Sequence, residues 1–130
     1  MYFVEHYGAD LLNEALALRV LNGAGVDADH LQKLLEASVH RQIIIAKSEK
    51  DEPLASIAFA KISKYTLRLL AENHTHVLNP YEYREGKILY VVDGFFQKNN
   101  FQKSLALLLQ QLKKYRLIAP CKKWTTEGLL

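Results

Sequence analysis

Residues 87–96, KILYVVDGFF, decide how the fold is predicted. The run ILYVVD (88–93) is a continuous series of strand-forming apolar residues, which is typical of a strand buried on both faces. The run ends at Asp93, and GFFQKNN (94–100) is predicted to form a loop. An aspartate in this position either caps the loop by bonding to nearby backbone amides or orients a catalytic histidine.

Helical and strand-like patterns alternate around this stretch. The second helix is capped by Asp27 or Asp29 and has His30 in its first turn, and Asn99 or Asn100 caps the last helix. The predicted segments are helices at 9–22, 27–42 and 101–115, strands at 42–48, 54–63 and 88–93, a short helix or continued strand at 64–72, and a final strand or tail at 122–130.

Helical spacing also assigns side chains to the core. The predicted inward positions are Leu12, Ala15, Leu16, Arg19 and Val20 in the first helix, Leu31, Leu34, Leu35 and Val39 in the second, and Leu105, Leu108, Leu109 and Leu112 in the last. The order of elements predicts a single α/β (α+β) domain over residues 1–130, a three-layer sandwich with a small mixed β-sheet and flanking helices. An acetyltransferase-like sandwich has this order.

Composition excludes several classes of protein. The chain carries 17 Lys and Arg against 14 Asp and Glu, and a net charge of +3 is too small to indicate nucleic-acid binding by itself. No apolar run approaches the roughly 20 residues of a membrane span, and no export signal is recognisable. A single cysteine, Cys121, excludes an internal disulfide and has no neighbouring histidine to activate it. We therefore expect a cytoplasmic protein without a membrane span.

Five histidines are candidates for acid–base chemistry near neutral pH: His6, His30, His40, His74 and His76. The helix dipole is expected to keep His30 neutral at a helix start and to favour the charged form of His40 near the end of the same helix. His74 and His76 are too few for a zinc site, so no metal is predicted. The residues alone leave open which histidine faces Asp93.

The last third of the chain is basic. The positions are Lys98, Lys103, Lys113, Lys114, Arg116, Lys122 and Lys123. They form either a solvated surface or a docking surface for an acidic carrier protein, and the lack of interleaved aromatics disfavours nucleic acid. The predicted loop 94–100 has one glycine, Gly94, and two bulky aromatics, so it does not predict the bare amides that bind the diphosphate of coenzyme A.

From Pro53 onward, about half of the chain resembles the toxin-activating lysine acyltransferases, the activators of RTX pore-forming toxins. In that family a strand of the type P-x-A-x-x-x-x-A-x-L/I-S precedes a strand ending in aspartate, a Pro-Phe-Gly loop and a helix. The matching residues are Pro53, Ala55, Ala60, Ile62, Ser63, Asp93 and Phe95 or Phe96, with Gly94-Phe95-Phe96 in place of the Pro-Phe-Gly triplet.

The resemblance implies an acetyltransferase-like fold and transfer of a fatty acyl group from acyl carrier protein to an internal lysine of an RTX-type protoxin, without a bound cofactor. The family's catalytic pair falls on His30 and Asp93, and His40 is the other histidine considered as the partner of Asp93. A homodimer is also considered. Two alternatives stay open: a non-catalytic binding or accessory module for a secreted or toxin partner, and an enzyme that acylates a small molecule, as acyl-homoserine lactone synthases do.

Overall fold

The computed structural model describes residues 3–5, 11–73, 75–113, 117–119, 124–125 and 128–129, with side chains at 11–73, 75–99 and 102–113. The strands are β1 Phe3–Glu5, β2 Ile43–Lys47, β3 Pro53–Ile62, β4 Ile88–Phe96, β5 Leu117–Ala119, β6 Trp124–Thr125 and β7 Gly128–Leu129. The helices are α1 Leu11–Leu21, α2 Ala28–Val39, α3 Lys64–Glu72 and α4 Phe101–Leu112, with short 3-10 helices at Pro80–Tyr83 and Lys98–Asn100.

The main sheet has the strand order β1-β2-β3-β4-β5. Adjacent strands in this sheet are antiparallel, except that β4 and β5 are parallel and are connected through α4. A parallel pair needs such a crossover connection, whereas the β2–β3 hairpin closes through a short turn. The predicted small mixed sheet is therefore confirmed.

Helices pack on both faces of this sheet. The face carrying Ile43, Ile45, Ala58, Ala60 and Ile62, here called face A, packs against Ala15 of α1 and Leu34 of α2. The opposite face, face B, carries Ile44, Ala46, Ala55, Ile57 and Phe59 and packs against Leu108 and Leu112 of α4. This arrangement confirms the predicted three-layer sandwich.

The helix boundaries follow from local signals. Asp27 caps α2 by accepting a hydrogen bond from the backbone N–H of His30 at 2.8 Å, and Ser63 caps α3 through the N–H of Thr66 at 3.1 Å. The cap at Ser63 explains why residues 64–72 form a helix rather than a continued strand. Beyond α1, Gly23 has a φ of +76°, a conformation that glycine adopts without steric cost.

The apolar strand of residues 88–93 continues past Asp93, so the loop predicted at 94–100 is wrong for residues 94–96. Phe95 and Phe96 lie inside β4 and are buried, and the N–H of Gln97 donates to the carbonyl of Leu54 at 2.9 Å. The aromatic rings fill the core, which outweighs the turn preference of Gly94. Only residues 97–100 connect β4 to α4.

A β-bulge at Val92 changes the direction of the side chains in β4. Val91 pairs with Phe59 and Asp93 pairs with Ala58, so two steps along β4 match one step along β3. Cross-strand partners point to the same face, and Ala58 belongs to face A. The bulge therefore places Asp93 on face A, beneath α1 and α2, rather than on face B against α4.

Part of the predicted helical core is wrong. Four predicted inward side chains are 38 to 74% exposed: Val20, Leu31, Leu35 and Val39. The fully buried side chains of α2 are Leu34 and Ala37. The helical spacing assigned the larger apolar side chains of α2 to the core. Ala37 is buried instead, because its small side chain allows close approach to the sheet.

The chain ends also differ from the prediction. β1 and β5 lie where no strand was predicted, and β6 and β7 form a separate pair in the segment predicted as a strand or tail. α4 is described to Leu112, and the predicted residues 114–115 lie outside the described part. Among the helices described, none has the length and apolar character needed to cross a bilayer.

Candidate active site

The structure brings His30 and Asp93 together. Nδ1 of His30 lies 2.9 Å from Oδ1 of Asp93, although the two residues are 63 positions apart in the sequence. Asp93 is 1% exposed, whereas the side chain of His30 is 28% exposed. This pair, called the dyad below, therefore joins a buried carboxylate to an imidazole ring that solvent can reach.

The cap of α2 positions the ring of His30. Asp27 holds the first turn of α2 through Oδ1, and its Oδ2 lies 3.8 Å from His30 Nε2, beyond hydrogen-bond range. Because an ionised carboxylate only accepts, the N–H at Nδ1 donates the hydrogen bond to Asp93 Oδ1. Nε2 is then the nitrogen left for a substrate.

The surroundings of His30 raise its pKa above the usual value of 6.5. The hydrogen bond to Asp93 is the largest cause; burial opposes it, the charges of Asp93 and Asp27 add to it, and the charge of Arg19 opposes it. The expectation that the helix dipole keeps His30 neutral is therefore wrong in direction. A full charge at hydrogen-bond distance outweighs the partial charge of a helix end.

Arg19 is a third member of the site that sequence reasoning missed. Its Nη2 lies 2.5 Å from Oδ2 of Asp93 and 3.3 Å from the carbonyl oxygen of Gly94. Its guanidinium carbon lies 5.3 Å from the centre of the Phe95 ring, and the residue is 3% exposed. The available signal was an arginine at an otherwise apolar position of α1, because a buried arginine needs an anionic partner.

His40, the other histidine considered for Asp93, has different neighbours. Its ring stacks on Tyr83 with centroids 5.8 Å apart, and its Nε2 lies 3.5 Å from Oε2 of Glu36. Burial, with the charges of Glu36, Asp29 and Asp93, raises the pKa of Tyr83 far above its usual value. The phenol therefore stays protonated at neutral pH.

A second buried carboxylate also meets a histidine. Glu82, 3% exposed, accepts hydrogen bonds from the backbone N–H of Asn79 at 2.7 Å and the hydroxyl of Thr66 at 3.0 Å, and its Oε1 lies 3.2 Å from Nε2 of His76. Burial alone raises the pKa of Glu82, but the bonds from Asn79, Thr66 and His76 outweigh it and the net pKa is lowered. We call this group the Glu82 cluster.

Several predicted candidates lie outside the described residues: His6, His74, Cys121, Lys114, Arg116, Lys122 and Lys123. Of the basic positions, Lys98, Lys103 and Lys113 are described and exposed. In the part of the chain that is described, no three His, Cys, Asp or Glu side chains converge on a point where a metal ion would bind.

The connection between β4 and α4 lacks the glycine-rich sequence that is typical of binding sites for the diphosphate of coenzyme A. It consists of Gln97 and the 3-10 helix Lys98–Asn100 and contains no glycine. The N–H of Gln97 already donates to Leu54 within the sheet. Diphosphate binding at a helix start requires free amides that the ligand can approach closely.

Comparison with known proteins identifies the fold. No family model matches the chain, and no curated protein sequence matches it significantly. The chain is similar to the crystal structure of the aminoglycoside antibiotic 6'-N-acetyltransferase AAC(6')-Ih from Acinetobacter baumannii, with a TM-score of 0.56 and 14% identity over 95% of this chain and 80% of that one. It is also similar to the loading GNATL domain of CurA from Lyngbya majuscula, with a TM-score of 0.53 and 15% identity over 86% of this chain and 56% of that one.

The chain therefore has the fold of GNAT-type acetyltransferases, which confirms the predicted acetyltransferase-like sandwich. At 14 and 15% identity, this similarity establishes the fold alone. The resemblance to the toxin-activating acyltransferases has no support from these comparisons and stays a prediction.

Proposed function

We propose that this protein is an acyltransferase that moves a fatty acyl group from acyl carrier protein to a lysine amine of a protein acceptor, with His30 as general base and Asp93 as the residue that orients it. The observation that carries the proposal is the 2.9 Å contact between His30 Nδ1 and Asp93 Oδ1 in an acetyltransferase-like fold. Within the described part of the chain, the other nitrogen of this partly exposed ring, Nε2, makes no hydrogen bond, since Asp27 Oδ2 lies 3.8 Å away.

The chemistry requires one proton acceptor. The amine nitrogen attacks the thioester carbonyl, a C–N bond forms, and the C–S bond breaks with departure of a thiolate. His30 Nε2 takes the proton that the amine loses and returns it to the thiolate, so atoms and charge balance. A variant of this route passes the acyl group through His30 itself. Asp93 holds the ring through Nδ1 and stabilises the imidazolium in either route.

Two features favour a carrier protein as donor. The connection 97–100 lacks the glycine that a coenzyme A diphosphate site needs. Lys98 and Lys103 are exposed at the start of α4, close in sequence to Asp93, and such lysines attract an acidic partner. Reversing the charge of Lys98 is expected to raise KM for acyl carrier protein several-fold at low salt, with a smaller effect at high salt.

A small amine is the second candidate acceptor. The similar structure from Acinetobacter baumannii is named an N-acetyltransferase for aminoglycoside antibiotics, so this fold serves a small-molecule amine in that protein. The lysine acceptor rests on the resemblance from Pro53 onward. Mass measurement of both the protein and the small-molecule fractions separates the two.

A non-catalytic binding module is the third candidate. Leu31, Leu35 and Val39 form an exposed apolar row along α2, here called the α2 stripe, next to His30. Exposed apolar rows of this kind are typical of surfaces that bind another protein. A binding module holds its partner without transferring an acyl group to it.

The deciding experiment incubates the purified protein with acyl carrier proteins charged with different acyl chains and with a candidate protoxin, followed by intact-mass measurement. A mass gain on the acceptor equal to one acyl group is expected. His30→Ala is expected to lower the rate by at least ~100-fold, because the general base is removed. His76→Ala is the matched control and is expected to leave the rate within about threefold.

Each negative result points to one alternative. Acylated small amines without acylated protein indicate the second candidate, and stable complexes without any transfer indicate the third. Undiminished transfer by a folded His30→Ala protein contradicts the assignment of His30.

A further inference from the structure

Arg19 occupies an unusual position for a cation. It is 3% exposed, on the side of α1 that faces the sheet, and Nη2 makes both of the side-chain hydrogen bonds found to described residues, to Asp93 Oδ2 and to the Gly94 carbonyl. Asp93 therefore has one oxygen bound by Arg19 from α1 and the other bound by His30 from α2. The dyad is therefore part of a three-residue hydrogen-bond network, Arg19–Asp93–His30, whose members come from two helices and one strand.

We propose that Arg19 is a positioning residue of the dyad: its guanidinium fixes the Asp93 carboxylate with Oδ1 toward His30, and its positive charge keeps the imidazole available as a base. This proposal deepens the proposed function, on which its activity measurements rest. Its titration measurements do not depend on that function.

The orientation follows from the contacts. A carboxylate bound through one oxygen alone rotates about its Cβ–Cγ bond with little cost, whereas bonds to both oxygens from separate helices fix its plane. The Gly94 carbonyl and the Phe95 ring hold the guanidinium in turn, at 3.3 Å and 5.3 Å. Arg19 acts on the reaction through Asp93 and does not itself contact the nitrogen that faces the substrate.

The charge effect follows from the groups that act on His30. Asp93 from β4 and Asp27 before α2 both favour the imidazolium, and Arg19 from α1 is the cation that opposes it. With two carboxylates and no opposing cation, His30 would hold its proton to a higher pH, and a smaller fraction would be neutral at pH 7. Arg19 therefore limits the basicity that Asp93 confers.

The structure also supplies matched variants. Arg19 Nε is buried without a hydrogen-bond partner among the described residues, so the guanidinium fork is not used and a point charge can replace it. Arg19→Lys keeps the charge, and Arg19→Gln removes it while keeping an amide donor. Lys33→Gln removes a different cation, one that pairs with Asp29 on α2 at 2.9 Å.

The experiment follows the His30 ring signals by NMR as a function of pH in the wild-type protein and the three variants, beside the pH profile of acyl transfer. In Arg19→Gln, the His30 pKa and the acidic limb of the profile are expected to move up by about 0.5 to 1 pH unit. In Arg19→Lys and Lys33→Gln, both are expected to stay within about 0.3 of the wild type. Arg19→Lys is expected to transfer more slowly than the wild type, because the shorter side chain loosens Asp93.

A purely structural role for Arg19 predicts something different: lower stability and activity with an unchanged His30 titration. An Arg19→Gln protein whose His30 titrates at or below the wild-type pKa therefore overturns the proposal. If Arg19→Gln does not fold, Arg19→Lys decides, because a shift of more than half a unit in that variant overturns it. If the wild type transfers no acyl group, the proposed function fails, while the NMR titrations still test Arg19.

Discussion

The dyad and the Glu82 cluster are two buried carboxylates that each contact a histidine, yet they differ in where their partners come from. Asp93 is bound by Arg19 and His30, which lie 74 and 63 positions away on separate helices. Glu82 is bound by Thr66, His76 and Asn79, all within 16 positions. The first arrangement joins two helices of one layer to a strand of the sheet, and the second holds one connector in place.

Because the structure contains two such pairs, a histidine next to a carboxylate is not by itself evidence of an active site. The carboxylate of Glu82 accepts hydrogen bonds from a backbone amide and a hydroxyl, and it also contacts the ring of His76. That contact uses Nε2, the ring nitrogen farther from the backbone. In the dyad, Nδ1 faces inward and Nε2 is left for a ligand. We therefore interpret the Glu82 cluster as structural and keep the dyad as the proposed reactive site.

The largest difference between the two sites is expected in kcat/KM for acyl transfer, when Asp93→Asn is compared with Glu82→Gln. Asparagine in place of Asp93 no longer fixes the ring tautomer and leaves Arg19 without its anion, so kcat/KM for acyl transfer is expected to fall by roughly 10³- to 10⁴-fold. Glu82→Gln is expected to stay within about threefold once the folded fraction, measured by circular dichroism, is taken into account. A Glu82→Gln protein that is folded and as slow as Asp93→Asn would contradict the comparison.

For the free energy of unfolding, we expect the opposite order: a substitution in the Glu82 cluster should cost more than a substitution in the dyad. Thr66 is 1% exposed and donates to the Glu82 carboxylate, so Thr66→Val removes a hydrogen bond to a charged group at constant volume and is expected to cost about 1.5 to 3 kcal/mol. His30→Gln changes a partly exposed side chain and is expected to cost less than ~1 kcal/mol. Urea denaturation of both variants measures the free energies of unfolding, and a larger loss in His30→Gln would make the dyad the structural element.

The two sites are also expected to respond to pH with opposite signs. The pKa of His30 is raised in the folded state, so its contribution to stability is fully present below 6.5 and is lost as the pH rises through the folded value. The pKa of Glu82 is lowered, so its contribution is present above 4.5 and is lost as the pH falls through the folded value.

These pH dependences are tested by measuring the free energy of unfolding of each variant and of the wild type at two pH values. The destabilisation caused by His30→Gln is expected to shrink from about pH 5.5 to about pH 8.5, and that caused by Glu82→Gln is expected to shrink from about pH 6 to about pH 3. The same direction in both variants would mean that one of the two pKa shifts has the wrong sign.

The smallest effects are expected at exposed apolar residues near each site. Leu35 of the α2 stripe is 46% exposed, and Val77, close in sequence to His76, is 71% exposed. Leu35→Ser and Val77→Ser are each expected to change the free energy of unfolding by less than about 0.5 kcal/mol. A fall in protein acylation in Leu35→Ser alone would connect the dyad to a partner surface along α2, and equal activities would leave the stripe without a role in transfer.

Local signals explain what the sequence predicted correctly. The capping aspartate placed His30 in the first turn of α2, the β-branched runs placed the β2–β3 hairpin, and the leucine spacing placed α4. Each of these signals lies within one element. The three-layer fold follows from their order.

The missed features depend on pairing between elements. Because residues 88–96 are apolar at nearly every position, no alternation in them reveals the bulge at Val92 or the extension of β4 to Phe96. Arg19 shares a helical position with leucines and alanines, and its partner is 74 residues away. The Asp93 carboxylate was visible in the sequence, but the side of the sheet on which it lies was not.

The bulge also affects how an aligned relative of this chain is interpreted. Val92 is the extra residue of β4, because Val91 pairs with Phe59 and Asp93 pairs with Ala58. Deleting Val92 would leave a regular ladder in which the aspartate still pairs with Ala58 on face A, because side chains in a strand alternate. A homologue with one residue fewer at this point would therefore keep the carboxylate beneath α1 and α2, and a single-residue gap here in an alignment would not by itself indicate loss of the dyad.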